Sequence, residues 1–241
     1  MQRPPEYCAL TALQTISRTL KSYVRNPRRT LDVERRAWAM YMAEKTLRRR
    51  GLAQMYDERP KGVYSPDWVD LLNIYSLVRR RKPKAVLEFG SGCSTLMFAR
   101  ALADNQAAGD GTGHIYSVET SPHFLECTKS YVPSSLKPFI DILPSGISTG
   151  EMAGERVMWH SDVPNISPNL IYLDGPDYQD HSPDIVTQAD GVMLEPKATN
   201  DCAILIDGRQ STYMFTRANL KRRYAETKST LHKWELLEAV A

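Results

Sequence analysis

Four acidic residues stand where short apolar runs of the chain come to an end. They are Glu88, Glu119, Asp174 and Asp207. Because parallel strands of an α/β sheet end at the same edge, carboxylates at strand ends point into one crevice. A single acid in such a place commonly caps a turn or a helix. The set of four therefore predicts a binding or catalytic site.

The first of these runs leads directly into a glycine turn. The sequence Leu87-Glu88-Phe89-Gly90-Ser91-Gly92-Cys93-Ser94-Thr95 closes an apolar run, turns at two glycines and enters a helical segment. Glycine permits backbone conformations and close approaches that a Cβ excludes, and the unpaired N–H groups of a helix start attract anionic groups. This order predicts a backbone cradle for a nucleotide-like ligand. A plain connecting turn is the alternative.

The remaining acids suggest more specific chemistry. Glu119 has two acceptor oxygens, which suits it to bind two ribose hydroxyls. Asp174 and Asp207 are expected on adjacent strands, where they could share Mg²⁺ and acidify a substrate hydroxyl. The alternative is that each aspartate forms a turn with the glycine after it. His181 and His160, in two long loops, are candidate bases, and His181 is preferred because it follows Asp174 by seven residues.

These motifs resemble those of class I S-adenosylmethionine-dependent methyltransferases. The segment Leu87–Thr95 is similar to their first motif, Ser117-Val118-Glu119 to their second-strand acid, and Leu173-Asp174-Gly175-Pro176 to their fourth-strand motif. The Asp-Gly variant is similar to a subgroup of small-molecule O-methyltransferases that includes sugar- and natural-product-modifying members. The subgroup often has Asp-Gly-Asp-His there, whereas this chain has Asp174-Gly175-Pro176-Asp177 and lacks the histidine. The resemblance covers roughly residues 65–240.

The resemblance implies a set of roles. Glu88 would orient the methionine amino group of S-adenosylmethionine, Glu119 would hold the ribose, and Asp174 would contact both cofactor and acceptor. Asp174, Asp207 and His181 are the candidate catalytic residues from the reasoning on the residues above, and the two aspartates are the candidate metal ligands. The other implied cofactor contacts are Gly90, Gly92, Ser94, Thr95, Ser145 and Gly146, with the last two near the adenine. The implied activity is O-methylation of a small-molecule or sugar-like hydroxyl.

Two other functions remain open. A dinucleotide-dependent oxidoreductase requires G-x-G-x-x-G with an acid about 20 residues further on. Here Thr95 stands in place of the third glycine and Glu119 follows Gly92 by 27 residues, so a methyltransferase is favoured. A methyltransferase fold kept as a binding or assembly module, without catalysis, is the second alternative.

The elements that would position these residues alternate along the chain from residue 84. Strands are expected at 84–89, 114–119, about 138–143, 169–174 and 202–207, with two late β-like segments at 224–227 and 231–237. Helices are expected at 8–24, 31–50, 65–78, 122–131 and 211–223, and long connections at 144–168 and 175–190. This alternation predicts a Rossmann-like, doubly wound and mostly parallel sheet with helices on both faces.

Because the resemblance begins near residue 65, the chain is predicted to consist of a basic helical extension, residues 1–64, and a methyltransferase-like domain, residues 65–241. Residues 1–84 hold 19 Lys and Arg against 8 Asp and Glu, whereas the rest holds 12 against 20. The extension could form a homo-oligomer through its helices or attract nucleic acid, but clustered arginines at helix ends are the favoured explanation. The four separated cysteines and the absence of a long apolar run indicate a cytoplasmic protein without a membrane span.

Overall fold

The computed structural model describes residues 27–176, 187–229 and 234–240. The helices are α1 (Pro27–Arg49), α2 (Trp68–Arg81), α3 (Cys93–Ala107), α4 (Pro122–Tyr131), α5 (Asp190–Leu194) and α6 (Gln210–Asn219). The strands are β1 (Ala85–Phe89), β2 (His114–Glu119), β3 (Ile140–Pro144), β4 (Ile147–Met152), β5 (Glu155–His160), β6 (Leu170–Leu173), β7 (Ala203–Asp207), β8 (Tyr224–Ser229) and β9 (Trp234–Ala239). The helix predicted at 8–24 lies outside the described residues.

Seven strands form one sheet in the order β3-β2-β1-β6-β7-β9-β8. Each strand from β3 to β7 in this order is parallel to its neighbour, and β9 pairs antiparallel with both β7 and β8. The chain builds outwards from β1 in one direction and from β6 in the other. Ligands of such sheets bind in the crevice where this direction changes, which here lies between the carboxyl ends of β1 and β6.

Alternate side chains of the sheet enter two separate cores. Val86 of β1 packs with Leu71 of α2 and Phe98 of α3 in a cluster on one face. Leu87 of the same strand packs in a second cluster on the other face, together with Tyr213 of α6. Both faces of the sheet are therefore covered by helices, which confirms the predicted fold class.

The connection predicted as a loop over 144–168 contains a β-hairpin. Strands β4 and β5 pair antiparallel from Ile147 with His160 to Met152 with Glu155. Ala153 and Gly154 between them both have positive φ, 54° and 79°, which is the conformation of a tight hairpin turn. The turn is weakly marked in the sequence because alanine rather than asparagine occupies its first position.

The N-terminal segment continues into the main core. Leu47, Leu52 and Tyr56 are buried in the same cluster as the sheet and α3, and the Tyr56 hydroxyl donates to the Cys93 carbonyl at 2.8 Å. Helix α2 begins at Trp68, and the Asp67 side chain accepts from two N–H groups of its first turn. A division of the chain at residues 64 and 65 would therefore separate side chains that pack against one another.

Candidate functional site

Two adjoining cavities occupy the crevice. We call the first the glutamate cavity; its volume is about 260 Å³ and its lining includes Gly90, Glu119 and Arg209. We call the second the aspartate cavity; its volume is about 270 Å³. The carboxylates that line it are Asp67, Asp70, Asp174 and Asp207. The crevice therefore brings together Glu119, Asp174 and Asp207, whereas Glu88, the fourth acid of the strand-end pattern, lines neither cavity.

Glycine is required at position 90, where the backbone after β1 lies close to the backbone after β6. Its φ is +95°, and a Cβ on it would lie 2.8 Å from the nitrogen of Gly175. A Cβ on Gly175 would lie 2.6 Å from the nitrogen of Gly90 in turn. The backbone N–H groups of Asp174 and Gly175 both donate to the carbonyl of Phe89 at this close approach. Gly90 is therefore explained by backbone packing, in addition to any contact with a ligand.

Gly92 differs from Gly90. A Cβ on Gly92 would meet no atom within 4 Å, and Gly92 lines the aspartate cavity together with Ser94. The Thr95 hydroxyl accepts from the Gly92 N–H at 2.9 Å and donates to Glu88. Thr95 is fully buried, so it holds the loop in place, whereas Gly92 and Ser94 face the space that a ligand would fill.

Glu88 lies beneath this loop with no exposed surface. Its Oε2 accepts from the hydroxyls of Ser117, at 2.6 Å, and Thr95. Its Oε1 is buried and has no hydrogen-bond partner among the described residues. Burial raises the pKa of Glu88 to about 8, although hydrogen bonds from Ser117, Ser94 and Thr95 act in the opposite direction. Both of the hydroxyl donors that bind Glu88 at these distances therefore lie on one oxygen of the carboxyl group.

Glu119 is held by three donors. Its Oε2 accepts from the N–H of Ser91 at 2.7 Å and from the Ser91 hydroxyl at 2.9 Å, and its Oε1 accepts from the N–H of Ser121 at 2.9 Å. These bonds fix the carboxylate at the edge of the glutamate cavity before any ligand enters. A carboxylate oxygen has lone pairs for more than one bond, so Glu119 can still accept from hydroxyls of a ligand.

Asp174 and Asp207 follow paired positions of adjacent strands, because Leu173 of β6 pairs with Ile206 of β7. The Tyr172 hydroxyl donates to Asp207 at 3.1 Å. Burial, followed by the charge of Asp174, raises the pKa of Asp207 to about 7. The buried side chain of Arg209 donates to the backbone carbonyl of Asp174. The arginine therefore supports the backbone on which Asp174 stands.

Sequence reasoning missed Asp67 and Asp70 as residues of the site. Asp67 caps α2 and pairs with Arg36 of α1 at 3.1 Å, while Asp70 lies one helical turn further on. Burial, followed by the charges of Asp207 and Asp67, raises the pKa of Asp70 to about 8. Acids in a first helical turn are common for electrostatic reasons. Their i, i+3 spacing, which puts both on one face of the helix, is the one signal that could have indicated a shared cavity.

Ser145 and Gly146 follow β3 and lie at the base of the hairpin. The Ser145 N–H donates to the Glu119 carbonyl at 2.9 Å, and the Ser145 hydroxyl accepts from the N–H of Asp162 at 3.0 Å. Neither residue lines the two cavities. Their assignment to an adenine contact stays a prediction, and Asp162, whose Oδ2 accepts from the Gly146 N–H at 3.2 Å, is an exposed carboxylate beside them.

Of the two candidate histidines, the structure describes His160 but not His181. His160 is 3% exposed, its Nδ1 lies 3.1 Å from Asp190, and its ring lies 4.6 Å from that of Phe89, centroid to centroid. It lines neither cavity of the crevice, so this geometry gives it a packing role between the hairpin and α5. His181 lies outside the described residues, and its role as a base stays a prediction.

The described ranges contain neither a metal-binding cluster nor a membrane-spanning helix. Between residues 27 and 240, apart from 177–186 and 230–233, no group of three or more His, Cys, Asp or Glu side chains could hold a metal ion. No helix in these same ranges is long and apolar enough to cross a membrane.

Comparisons with known proteins give similarity in structure alone. No family model matches the chain, and no curated protein matches its sequence. The O-methyltransferase TomG from Streptomyces achromogenes, involved in tomaymycin synthesis and solved with S-adenosylmethionine, is 15% identical with a TM-score of 0.46, over 84% of this chain and 90% of that one.

Two further similar structures are a cofactor-bound protein, Rv0187 from MTB, and the methyltransferase PaMTH1 from Podospora anserina, solved with S-adenosylhomocysteine. The first is 13% identical with a TM-score of 0.48, over 99% of this chain and 98% of that one. The second is 13% identical with a TM-score of 0.47, over 84% and 88%. Because identity to all three is at most 15%, what this chain binds has to be decided on its own side chains.

Proposed function

We propose that this chain is an S-adenosylmethionine-dependent methyltransferase that modifies a hydroxyl group of a small molecule. The observation that carries the proposal is the loop between β1 and α3. It has buried Glu88 beneath it, open space over Gly92, and Glu119 fixed beside it by three hydrogen bonds. These features offer a cofactor one acid for an ammonium, one acid for ribose hydroxyls and a bare backbone between them.

The residues present fit this cofactor on three counts. The Oε1 of Glu88 has no partner among the described residues and could accept a hydrogen bond from an ammonium group. The Cβ position of Gly92 is empty, so the backbone there is open to a ligand. Glu119 is already oriented and needs no rearrangement to accept from two hydroxyls. Preorganised acceptors of this kind lower the cost of binding, because fewer side chains have to be ordered.

Bound S-adenosylmethionine would supply an activated methyl group. The chain would hold donor and acceptor in line, since positioning is the main contribution to a displacement of this type. It would also take a proton from the acceptor hydroxyl. Asp207, with a pKa raised to about 7 by burial and by the charge of Asp174, is suited to a proton transfer near neutral pH. Asp174 would stand between donor and acceptor, because it lines both cavities.

Calorimetry with S-adenosylhomocysteine tests the proposal directly. We expect the full-length chain to bind it with one site per chain. NAD⁺ and NADP⁺ are the matched comparison, because a dinucleotide would use the same sheet edge. Tighter binding of a dinucleotide would replace the proposed function with an oxidoreductase. Binding of S-adenosylhomocysteine without methyl transfer to a broad panel of hydroxyl compounds would favour the non-catalytic binding module.

A shared Mg²⁺ on Asp174 and Asp207 is the second part of the proposal. Their place on paired ends of β6 and β7 supports it, and a divalent cation would offset the repulsion between the two carboxylates. A metal-dependent enzyme would lose activity in EDTA and recover it with Mg²⁺ or Mn²⁺. Full activity in EDTA would remove the metal and leave Asp207 or His181 as the base.

The proposal extends to partners and location. Trp38 of α1 is 66% exposed and Tyr41 is 58% exposed, on a helix whose opposite face buries Ala43 and Leu47. These exposed side chains support homo-oligomerisation through the N-terminal region. Light scattering on Trp38→Glu and the parent chain tests it, and an unchanged mass would reject it. The wide separation of the cysteines supports an intracellular, cytoplasmic location.

A further inference from the structure

Four residues line both cavities of the crevice: Tyr64, Ser91, Phe124 and Asp174. They therefore mark the junction at which one cavity opens into the other. Two of them are aromatic and belong to different segments, since Tyr64 lies in the connection before α2 and Phe124 lies in α4. Their rings stack with centroids 5.5 Å apart and an interplanar angle of 30°.

The aromatic pair is tied to the glutamate cavity through hydrogen bonds. Ser121 donates its N–H to Glu119 at 2.9 Å, and its hydroxyl caps the helix that carries Phe124. The position of Phe124 is therefore linked to that of Glu119, and Tyr64 packs on Phe124 from outside the sheet. Tyr64 is 65% exposed and lines both cavities.

A ligand that spans both cavities has to pass this junction. In S-adenosylmethionine the sulfonium joins the ribose to the amino-acid chain. The proposed function places the ribose at Glu119, in the glutamate cavity, and the ammonium at Glu88, whose partner Thr95 bonds to Gly92 of the aspartate cavity. The group that bridges the two cavities is then the sulfonium, which carries the positive charge of the reacting centre.

We infer that Tyr64, with Phe124 and Asp174, forms a recognition site for the sulfonium charge of the methyl donor. The inference rests on the proposed function and deepens it. An aromatic face attracts a cation close to it, most strongly where water is excluded, and Asp174 presents a carboxylate to the same junction. S-adenosylhomocysteine has a neutral thioether, so such a site would hold the charged donor more tightly than the neutral product.

The test is the ratio of two dissociation constants, those of S-adenosylhomocysteine and S-adenosylmethionine, measured by calorimetry on the full-length chain. We expect Tyr64→Leu to weaken S-adenosylmethionine binding by about three- to thirty-fold and to change S-adenosylhomocysteine binding by less than about twofold. Tyr64→Phe keeps the aromatic face and should keep the ratio of the parent chain. Tyr41→Leu is the matched control, because Tyr41 is similarly exposed, at 58%, and lines neither cavity.

Each outcome decides one claim. If Tyr64→Leu weakens both ligands by the same factor, Tyr64 is a steric wall and the charge-recognition site is rejected. If Tyr64→Phe behaves like Tyr64→Leu, the hydroxyl and not the ring is responsible, and the inference is again wrong. If the parent chain binds neither ligand, the proposed function is rejected and the inference is lost with it.

Discussion

The glutamate cavity and the aspartate cavity adjoin each other, yet the carboxylates that line them differ in their hydrogen bonds and in their pKa values. Glu119 accepts three hydrogen bonds from backbone and hydroxyl donors. In the aspartate cavity, Asp70 and Asp207 have raised pKa values because they are buried and close to other acids. No Lys, Arg or His stands among the described residues that line that cavity.

We interpret this difference as two separate functions within one crevice, recognition in the glutamate cavity and chemistry in the aspartate cavity. A carboxylate that is already satisfied and oriented suits recognition of a neutral group such as a ribose hydroxyl. Buried carboxylates that lie close to other carboxylates hold protons more tightly, which suits exchange of a proton with an acceptor or attraction of a cation. We therefore expect substitutions in the glutamate cavity to change ligand affinity, and substitutions in the aspartate cavity to change chemistry.

The largest expected effects come from substitutions of the two loop glycines. A substitution at Gly90 should change the stability of the fold, whereas one at Gly92 should change ligand binding. Gly90→Ala would place a Cβ 2.8 Å from the Gly175 nitrogen at a φ of +95°, so we expect a loss of at least about 2 kcal/mol in the free energy of unfolding. Gly92→Val fills open space at the ligand side. It should abolish S-adenosylhomocysteine binding and leave thermal unfolding close to that of the parent.

Thermal unfolding and calorimetry on the same two variants check this pair. Gly109→Ala is a control for the general cost of a substituted glycine, since it has a φ of +77° and no atom within 4 Å of its Cβ position. A Gly92→Val chain that still binds the ligand would show that the cofactor does not lie against the loop.

The second effect concerns Glu88 and the stability of the ligand-free chain. Its pKa is raised to about 8 by burial, whereas a glutamate in an unfolded chain has a pKa of about 4.3. Between these two values the folded chain binds more protons than the unfolded chain, so stability falls as pH rises from about 5 to 8. Glu88→Gln, which resembles the protonated form, should flatten this slope and be more stable than the parent at pH 8.

Chemical unfolding at several pH values measures the slope. Asp70 and Asp207 contribute with the same sign, so Glu88→Gln reduces the slope without removing it. Glu151→Gln, at an exposed position of β4, should leave the slope unchanged. A parent chain whose stability rises between pH 5 and 8 would contradict the raised pKa values of all three acids.

The third effect is on affinity at Glu119. Glu119→Ala removes an acceptor for ribose hydroxyls and leaves the N–H groups of Ser91 and Ser121 without their present partner. Hydrogen bonds to a charged group contribute about 1.5–3 kcal/mol, so we expect at least a tenfold loss in S-adenosylhomocysteine affinity. Glu119→Gln keeps one acceptor oxygen and should lose less. Unchanged affinity in folded Glu119→Ala would place the ribose elsewhere.

The sequence predicted the strand-end acids well because each requires only local information. A buried apolar run followed by an acid or a glycine turn indicates both the strand and the edge of the sheet where the acid lies. The structure places Glu119, Asp174 and Asp207 at the crevice, whereas Glu88 is buried beneath the loop and lines neither cavity. The same local information also predicted the sheet, since the periodicity of its strands differs from that of the helices between them.

Contacts between distant segments were beyond such reasoning. The requirement for Gly90 depends on Gly175, which lies in the connection after β6. Tyr56 lies between the helices predicted at 31–50 and 65–78, and its burial depends on α3. Asp70 is an ordinary first-turn acid of a helix until α2 is placed over the crevice. Each of these roles is set by tertiary packing and has no periodic signal of its own.

The smallest expected effect on ligand affinity is that of a substitution at Asp207, and it is the most direct test of the difference between the two cavities. Asp207 lines the aspartate cavity but not the glutamate cavity. It accepts a hydrogen bond from the Tyr172 hydroxyl at 3.1 Å. Asp207→Asn keeps an acceptor oxygen for that hydroxyl and removes the charge that would take part in proton transfer or metal binding. We therefore expect S-adenosylhomocysteine affinity within about twofold of the parent chain, because a loss below about 0.4 kcal/mol reflects no direct contact. Calorimetry beside Glu119→Gln measures it, and once an acceptor is known, turnover should fall much further than affinity. A tenfold loss of affinity would instead place the amino-acid end of the cofactor on Asp207, and the two cavities would then form one continuous donor site.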